Sequence, residues 1–218
     1  MSHNSALLRL MTLMSPSFPV GGFSYSHGLE QAVADGLVSD FVTLESWLSS
    51  LIEHGSAWND AILFAESFRR SGENCTDLIE LGEALAGSKE RHLESQAQGA
   101  AFILAAKAGG YAMPEHLPAK ASYAIAAGCI AAAQGIALVD GLAAFVHAFA
   151  SNQVQVAIRL SLFGQADGVR MVAALERVII ETASRAALSS LDDLGGSTMM
   201  AEIAAMRHET LYSRIFRT

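Results

Sequence analysis

Residues 121–139 read ASYAIAAGCIAAAQGIALV, a stretch without a single charged side chain. An uncharged run of this length raises the question of a membrane-spanning helix. Its composition argues otherwise, because it is mostly Ala and Gly, which favour insertion far less than Leu, Ile or Phe. Gln134-Gly135 interrupts the run and Asp140 follows it at once. The stretch therefore predicts two buried or interface helices meeting near Gly135, in a protein that does not span a membrane.

Helical periodicity continues on both sides. Upstream, Lys89–Lys107 holds charges in its first half and Ala in its second, and Pro114 and Pro118 bracket a loop after it. Thr76–Ala86 reads as another helix behind the polar linker Arg69–Asn74. From Thr43 to about Phe68, Leu44, Trp47, Leu48, Leu51 and Ile52 mark one apolar face, on one long helix or two joined near Gly55. Leu7, Leu10, Met11 and Met14 repeat at helical spacing until Pro16 and Pro19 stop them. The segment Val20–Glu30 starts as a turn and becomes a helix, with Ser24 or Ser26 as cap and Asp35-Gly36 as its end.

Downstream, Leu142, Phe145, Val146, Phe149, Val156 and Leu160 outline a helix ending near Phe163-Gly164. Asp167 is expected to cap the next, through Met171, Leu175, Val178 and Ile179. Asp192–Ser197 is a turn, and Ala201 to about Phe216 reads as a last helix or half-ordered tail. No run of alternating β-branched residues points to a sheet. The expected fold is all-α: a single-domain helical bundle over residues 1–218, with 207–218 a C-terminal arm able to move.

Composition fits such a bundle and points to partners. Hydrophobic residues make up 51% and charged residues 17%, below the roughly 25% charged of an average soluble domain. Low-polarity surface often ends in subunit contacts, so a dimer or a large partner is expected. The formal net charge of −8 speaks against nucleic-acid binding. Ser2–Ser15 is apolar in places, but Arg9 interrupts it and no small-residue cleavage site follows cleanly, so a signal peptide is not expected. Cys75 and Cys129 belong to no CxxC pair and read as lone, reduced, buried thiols of a cytoplasmic protein.

Catalytic patterns are missing. The histidines, His3, His27, His54, His92, His116, His147 and His208, form no HxxxH pair, so no metal site is assigned. The Gly22–Gly28 loop lacks the Lys and Ser/Thr of a phosphate-binding loop and is followed by Leu29-Glu30. Ser26 and His27 are adjacent and would point about 100° apart on a helix, and no Gly-x-Ser-x-Gly elbow exists. The expectation is a protein that is not an enzyme.

The C-terminus, Arg207–Thr218, is different in kind. Read as a helix, it puts Leu211 beside Ile215, His208 beside Tyr212, and Arg207 near the face of Arg214. Either it is a terminal amphipathic helix with Arg at its negative end, or it is a contact arm built from Arg and Tyr, residue types that anchor interfaces. The residues alone leave both readings open.

Taken together, the two end segments resemble the UreF family of urease accessory proteins. The resemblance lies in Ser15-Pro16, Phe18–Ser26 and Gly28-Leu29-Glu30 at one end, and in Arg207-His208-Glu209, Tyr212-Ser213-Arg214 and Phe216-Arg217 at the other. Between them, Gln98–Phe102, Ser151-Asn152-Gln153 and Gly164-Gln165 stand in the same order. Two departures are visible: Met199 and Met200 stand near a commonly found proline, and His27 replaces a frequent glutamine.

The resemblance implies a helical, dimeric factor that joins UreD (UreH in some bacteria) and the GTPase UreG on apo-urease, where GTP drives nickel delivery. It implies no intrinsic cofactor; nickel and GTP are handled by the complex. Ser24, Tyr25, Glu30, Arg207, His208, Glu209, Tyr212, Arg214 and Arg217 are expected to form or brace docking surfaces, with Gln165 and Asn152 as weaker candidates. Phe23 and Phe216 are expected to pack inside. The alternative is a nickel-binding carrier that hands the metal over itself.

Overall fold

The structure, a computed structural model, describes residues 3–218. Among these, every regular element is helical: α1 (His3–Leu13), α2 (Leu29–Ala34), α3 (Phe41–His54), α4 (Ser56–Arg69), α5 (Thr76–Ala84), α6 (Lys89–Ala108), α7 (Tyr123–Ala133), α8 (Leu138–Arg159), α9 (Gln165–Ala186) and α10 (Met199–His208). Single 3-10 turns occur at Gly22–Ser24 and Leu191–Asp193. No helix of the described residues is long and apolar enough to cross a membrane. The segment that raised the question is split as expected, with Gln134 closing α7 and a short turn leading into α8.

Helix α4 is the centre. It packs against α7, α3, α8 and α9, and its Phe64 is fully buried with its ring 5.2 Å from that of Phe145 on α8. The small residues of α7 explain how two helices come so close. A Cβ at Gly128 would lie 2.3 Å from the Phe64 carbonyl oxygen and 2.2 Å from the Ser67 hydroxyl. The Ala/Gly run is thus a packing device: it lets α7 lie almost backbone to backbone on α4, with Ile125 and Ile130 buried at either side. The buried hydrophobic residues form one contiguous core from Leu10 to Phe216.

Local chemistry sets the helix boundaries. Asp40 and Thr43 cap α3 reciprocally, the Thr43 N–H donating to Asp40 Oδ1 at 2.9 Å and the Asp40 N–H to Thr43 Oγ1 at 3.0 Å. Gly55 separates α3 from α4, so the stretch from Thr43 to Phe68 is two helices. Ser88 caps α6, accepting from the Arg91 N–H at 3.2 Å.

Two expectations need correction. Asp167 does not cap α9; Gly164 holds that position and Asp167 lies in the first turn, paired with Arg170. On α1 Leu10 and Leu13 are buried, as is Met14 just beyond its end, while Leu7 and Met11 face out. Of the two readings for Ala201 to Phe216, a helix or a half-ordered tail, the helix holds only as far as His208, and irregular backbone follows. Cys75 and Cys129 are free and buried, as the sequence suggested.

Candidate functional site: the C-terminal strap

Beyond α10 the chain turns at Glu209-Thr210 and runs as an irregular strap back across α2 and α6. The two end motifs, remote in sequence, meet here. The Arg217 N–H donates to the Ser24 carbonyl at 2.8 Å, and the Ser26 N–H donates to the Thr218 main-chain oxygen at 2.9 Å. The Ser26 hydroxyl also bonds that oxygen, so the serine that invited comparison with a nucleophile is spent on holding the strap.

Glu30 is the hub. It stands in the first turn of α2, only 6% exposed, and its carboxylate accepts from the main-chain N–H groups of Ile215 at 2.7 Å and Phe216 at 3.0 Å. The same carboxylate meets His208 Nε2 at 2.9 Å. Gly28 makes this approach possible: its φ is +78°, and a Cβ there would sit 2.7 Å from the Ala205 nitrogen of α10. The glycine of the Gly-Leu-Glu motif therefore lets α2 and α10 touch, which brings Glu30 to His208.

His208 is fully buried and bonds on both sides, with Nδ1 2.7 Å from Glu90 Oε2 on α6. Ionised carboxylates only accept, so making both bonds at once takes an N–H on each ring nitrogen. Arg214 Nη1 donates to the other Glu90 oxygen at 2.6 Å. The Lys89 N–H donates to Glu209 Oε1 at 3.0 Å, a bond from the strap to the first turn of α6. Arg207 reaches Asp35 at 2.7 Å. Arg207 and Arg214 thus serve different partners, because the helix assumed to align them ends before Arg214.

Phe216 is buried as expected and lies under the Arg159 guanidinium, 4.2 Å from ring centroid to Cζ. Phe23 is not buried; it is 70% exposed, because the 3-10 turn Gly22–Ser24 projects it outward. The Asn152 amide donates to the Tyr25 carbonyl at 3.3 Å and so joins the strap region from α8. Gln165 is exposed at the start of α9, a helix packed on α8 and α3, and is not part of this cluster.

Thr218 Oγ1 donates to Glu94 at 3.3 Å, linking the strap to a second buried cluster. Glu94 also receives His27 Nε2 at 2.7 Å, Arg91 at 2.8 Å and the Gln98 amide at 2.8 Å. Burial alone would push the Glu94 carboxyl up, but His27 and Arg91 outweigh it and hold it down at about 2. Asp60, 3.4 Å from Arg91, goes the other way: burial raises it against the pull of Arg91. His27 holds its place at a φ of +52°, with its ring edge-on to Phe149. A cavity of about 480 Å³ opens beside this cluster, and its lining includes Phe23, Phe145 and Phe149 together with His27, Arg91 and Glu94.

Of the residues singled out in the sequence, Tyr25, Glu30 and His208 are thus buried braces, while Arg207, Glu209, Tyr212, Arg214 and Arg217 are exposed. Tyr212 stands fully free of the surface and Ile215 is 57% exposed. Sequence reasoning missed Asp35, Glu90, Arg91, Glu94 and Arg159. The Arg91–Glu94 spacing at i, i+3 was a readable signal for one pair; Asp35 and Glu90 meet residues more than a hundred positions away, and Arg159 meets Phe216 from α8. Among the described residues no group of three or more His, Cys, Asp or Glu side chains is placed to hold a metal ion.

Fold and site together define an all-helical protein whose N- and C-terminal motifs are latched into one polar junction with an exposed outer face. The UreF family model matches residues 38–176. The urease accessory protein UreF of Mesorhizobium japonicum is 54% identical over 216 residues, covering 98% of this chain and 96% of that one. UreF 1 of Brucella canis is 52% identical over 216 residues, covering 98% and 95%, and UreF of Rhizobium etli is 53% identical over 215 residues, covering 98% and 96%. The chain belongs to the UreF family of urease accessory proteins.

Proposed function

We propose that this chain acts in urease maturation as an adaptor: it binds the accessory protein UreD/UreH, recruits the GTPase UreG, and so positions both on apo-urease for GTP-dependent nickel insertion. Nickel and GTP are cargo and fuel of the complex. In this reading the chain contributes surfaces, and it works in the cytoplasm as a homodimer.

The observation that supports it is the division of labour in the strap. Glu30 and His208 are buried and spend their polar atoms on the chain's own backbone and side chains. Fixed in this way, the strap turns Tyr212, Ile215 and Arg217 outward. A large, rigid aromatic, an aliphatic and a guanidinium on an ordered segment are what an interface hot spot uses. Ordering the strap within the free chain also lowers the entropy cost of docking.

Reconstitution tests the proposal. The purified chain is mixed with UreD/UreH, UreG and apo-urease, with nickel and GTP, and complex formation and urease activity are followed together. The proposal expects co-elution with UreD/UreH and activation that depends on the chain. Equal activation with the chain left out would overturn it.

A further inference from the structure

The cavity of about 480 Å³ beside Glu94 has the size of a small-molecule site. Four aromatic rings belong to its lining: Phe23, Tyr123, Phe145 and Phe149. The Phe145 ring lies 5.4 Å from that of Tyr123, and Phe149 meets the His27 ring edge-on at 4.9 Å. Aromatic walls therefore adjoin the charged cluster.

That cluster is not balanced. Asp60 of α4 and Arg91 and Glu94 of α6 all line the cavity. The Glu94 carboxylate is fully used: one oxygen takes His27 and Gln98, the other Arg91 and Thr218. Among the described residues Asp60 pairs with Arg91 alone, at 3.4 Å. His27 needs one ring proton, on Nε2, to reach Glu94, and a neutral imidazole supplies it. Two carboxylates against one guanidinium leave a negative charge, and Asp60 is the acid left under-paired. Glu202 of α10 adds to the excess from a smaller neighbouring cavity that Asp60 and Arg91 also line. Desolvation accordingly raises the Asp60 carboxyl in spite of Arg91. The His27 side chain is 9% exposed, and its Nδ1 has no hydrogen-bond partner among the described residues. In the neutral ring that nitrogen is an acceptor too.

We propose that this cavity binds a small organic monocation, a primary ammonium carried on an aromatic or branched apolar body. The ammonium pairs with Asp60 and supplies the positive charge that the cluster lacks. Its N–H groups suit the two acceptors that the protein leaves unserved, Asp60 and His27 Nδ1. The apolar body packs among Phe23, Phe145 and Phe149, whose ring faces also attract a cation. An anion would meet Asp60 and Glu94, with the one guanidinium already engaged by both. A neutral molecule of the same shape leaves Asp60 under-paired.

Calorimetric titration of the purified full chain at neutral pH tests this with four probes. Phenethylammonium carries ring and charge, phenethyl alcohol the ring alone, ethylammonium the charge alone, and phenylpropionate the ring with the opposite charge. Phenethylammonium should bind saturably, and tighter than each of the others by about tenfold or more. Asp60→Asn keeps the shape and removes the charge, and should weaken phenethylammonium by about tenfold or more. Ala148→Phe, which adds a ring to the cavity lining from α8, should abolish binding. The proposal is overturned if phenethylammonium does not bind saturably, if any other probe binds as tightly, or if either folded variant keeps wild-type affinity. Should Asp60→Asn fail to fold, the four probes on the wild-type chain still decide.

Discussion

Glu30 and His208 stand 178 positions apart in sequence, and inside the protein the Glu30 carboxylate meets the His208 ring at 2.9 Å. The same carboxylate holds the Ile215 and Phe216 amides. Replacing Glu30 with Ala leaves a buried imidazole and two main-chain donors without their acceptor. Removing one partner of a buried pair costs about 3–5 kcal/mol. Glu30→Ala should lower the denaturation midpoint by an amount of that order and speed amide exchange at 215 and 216 far more than within α4. Glu30→Gln, which keeps one accepting oxygen, should fall between. Unchanged protection of the two amides in Glu30→Ala would contradict the hub role.

Glu94 makes a prediction in acid. Its carboxyl is held at about 2, against an ordinary value of 4.5. A depressed carboxyl stabilises the fold fully above the ordinary value and loses that contribution as pH falls from about 4.5 through about 2. The contribution is on the order of 3 kcal/mol. Urea midpoints measured down this range should fall steeply for the wild-type chain. In Glu94→Gln the midpoint should start lower at neutral pH and change less across the same window. A parallel fall in both proteins would show that Glu94 is not what titrates.

The α4–α7 crossing gives a test free of charges. Gly128→Ala would drive a methyl against the Phe64 carbonyl at 2.3 Å, and a backbone atom cannot swing aside. Overpacking of this kind costs about 1–3 kcal/mol, which thermal or urea denaturation resolves. Gly164→Ala is the matched control, since nothing lies within 4 Å of a Cβ there; it should change stability by no more than about 0.5 kcal/mol. Equal behaviour of the two variants would contradict the close approach of the helices.

Much of this architecture was legible in the sequence because helices announce themselves locally. The apolar face of Leu44, Leu48, Leu51 and Ile52 lies on one helix, and the Ala/Gly stretch predicted both its burial and its break at Gly135. The end of the chain was not legible. Leu211 and Ile215, or His208 and Tyr212, look like neighbours on a helix only if the helix continues, and it stops at His208 because the following backbone finds better partners in Glu30 and Ser24. Those partners belong to the other end of the chain, so no local pattern reports them. The resemblance to UreF named Glu30 and His208 among residues that form or brace docking surfaces, without separating buried braces from exposed contacts. Phe23 shows the same limit: its apolar side chain predicted burial, and the 3-10 turn under it points it to solvent.

Tyr212 should be dispensable for the fold. Its side chain is fully exposed, and surface changes of this kind usually shift stability by no more than about 0.5 kcal/mol. Tyr212→Ala should therefore melt with the wild-type chain and keep the strap amides protected. Loss of protection at Ile215 and Phe216 in this variant would mean that the tyrosine holds the strap and does not serve as a contact.

The central claim is that the latched strap presents a docking surface for UreD/UreH. It is tested most directly by the affinity of purified UreD/UreH for the immobilised chain, comparing wild type with the double variant Tyr212→Ala, Ile215→Ala, both folded by circular dichroism. Hot-spot truncation predicts an affinity weaker by about tenfold or more at an unchanged melting temperature. Wild-type affinity in the double variant would contradict the account.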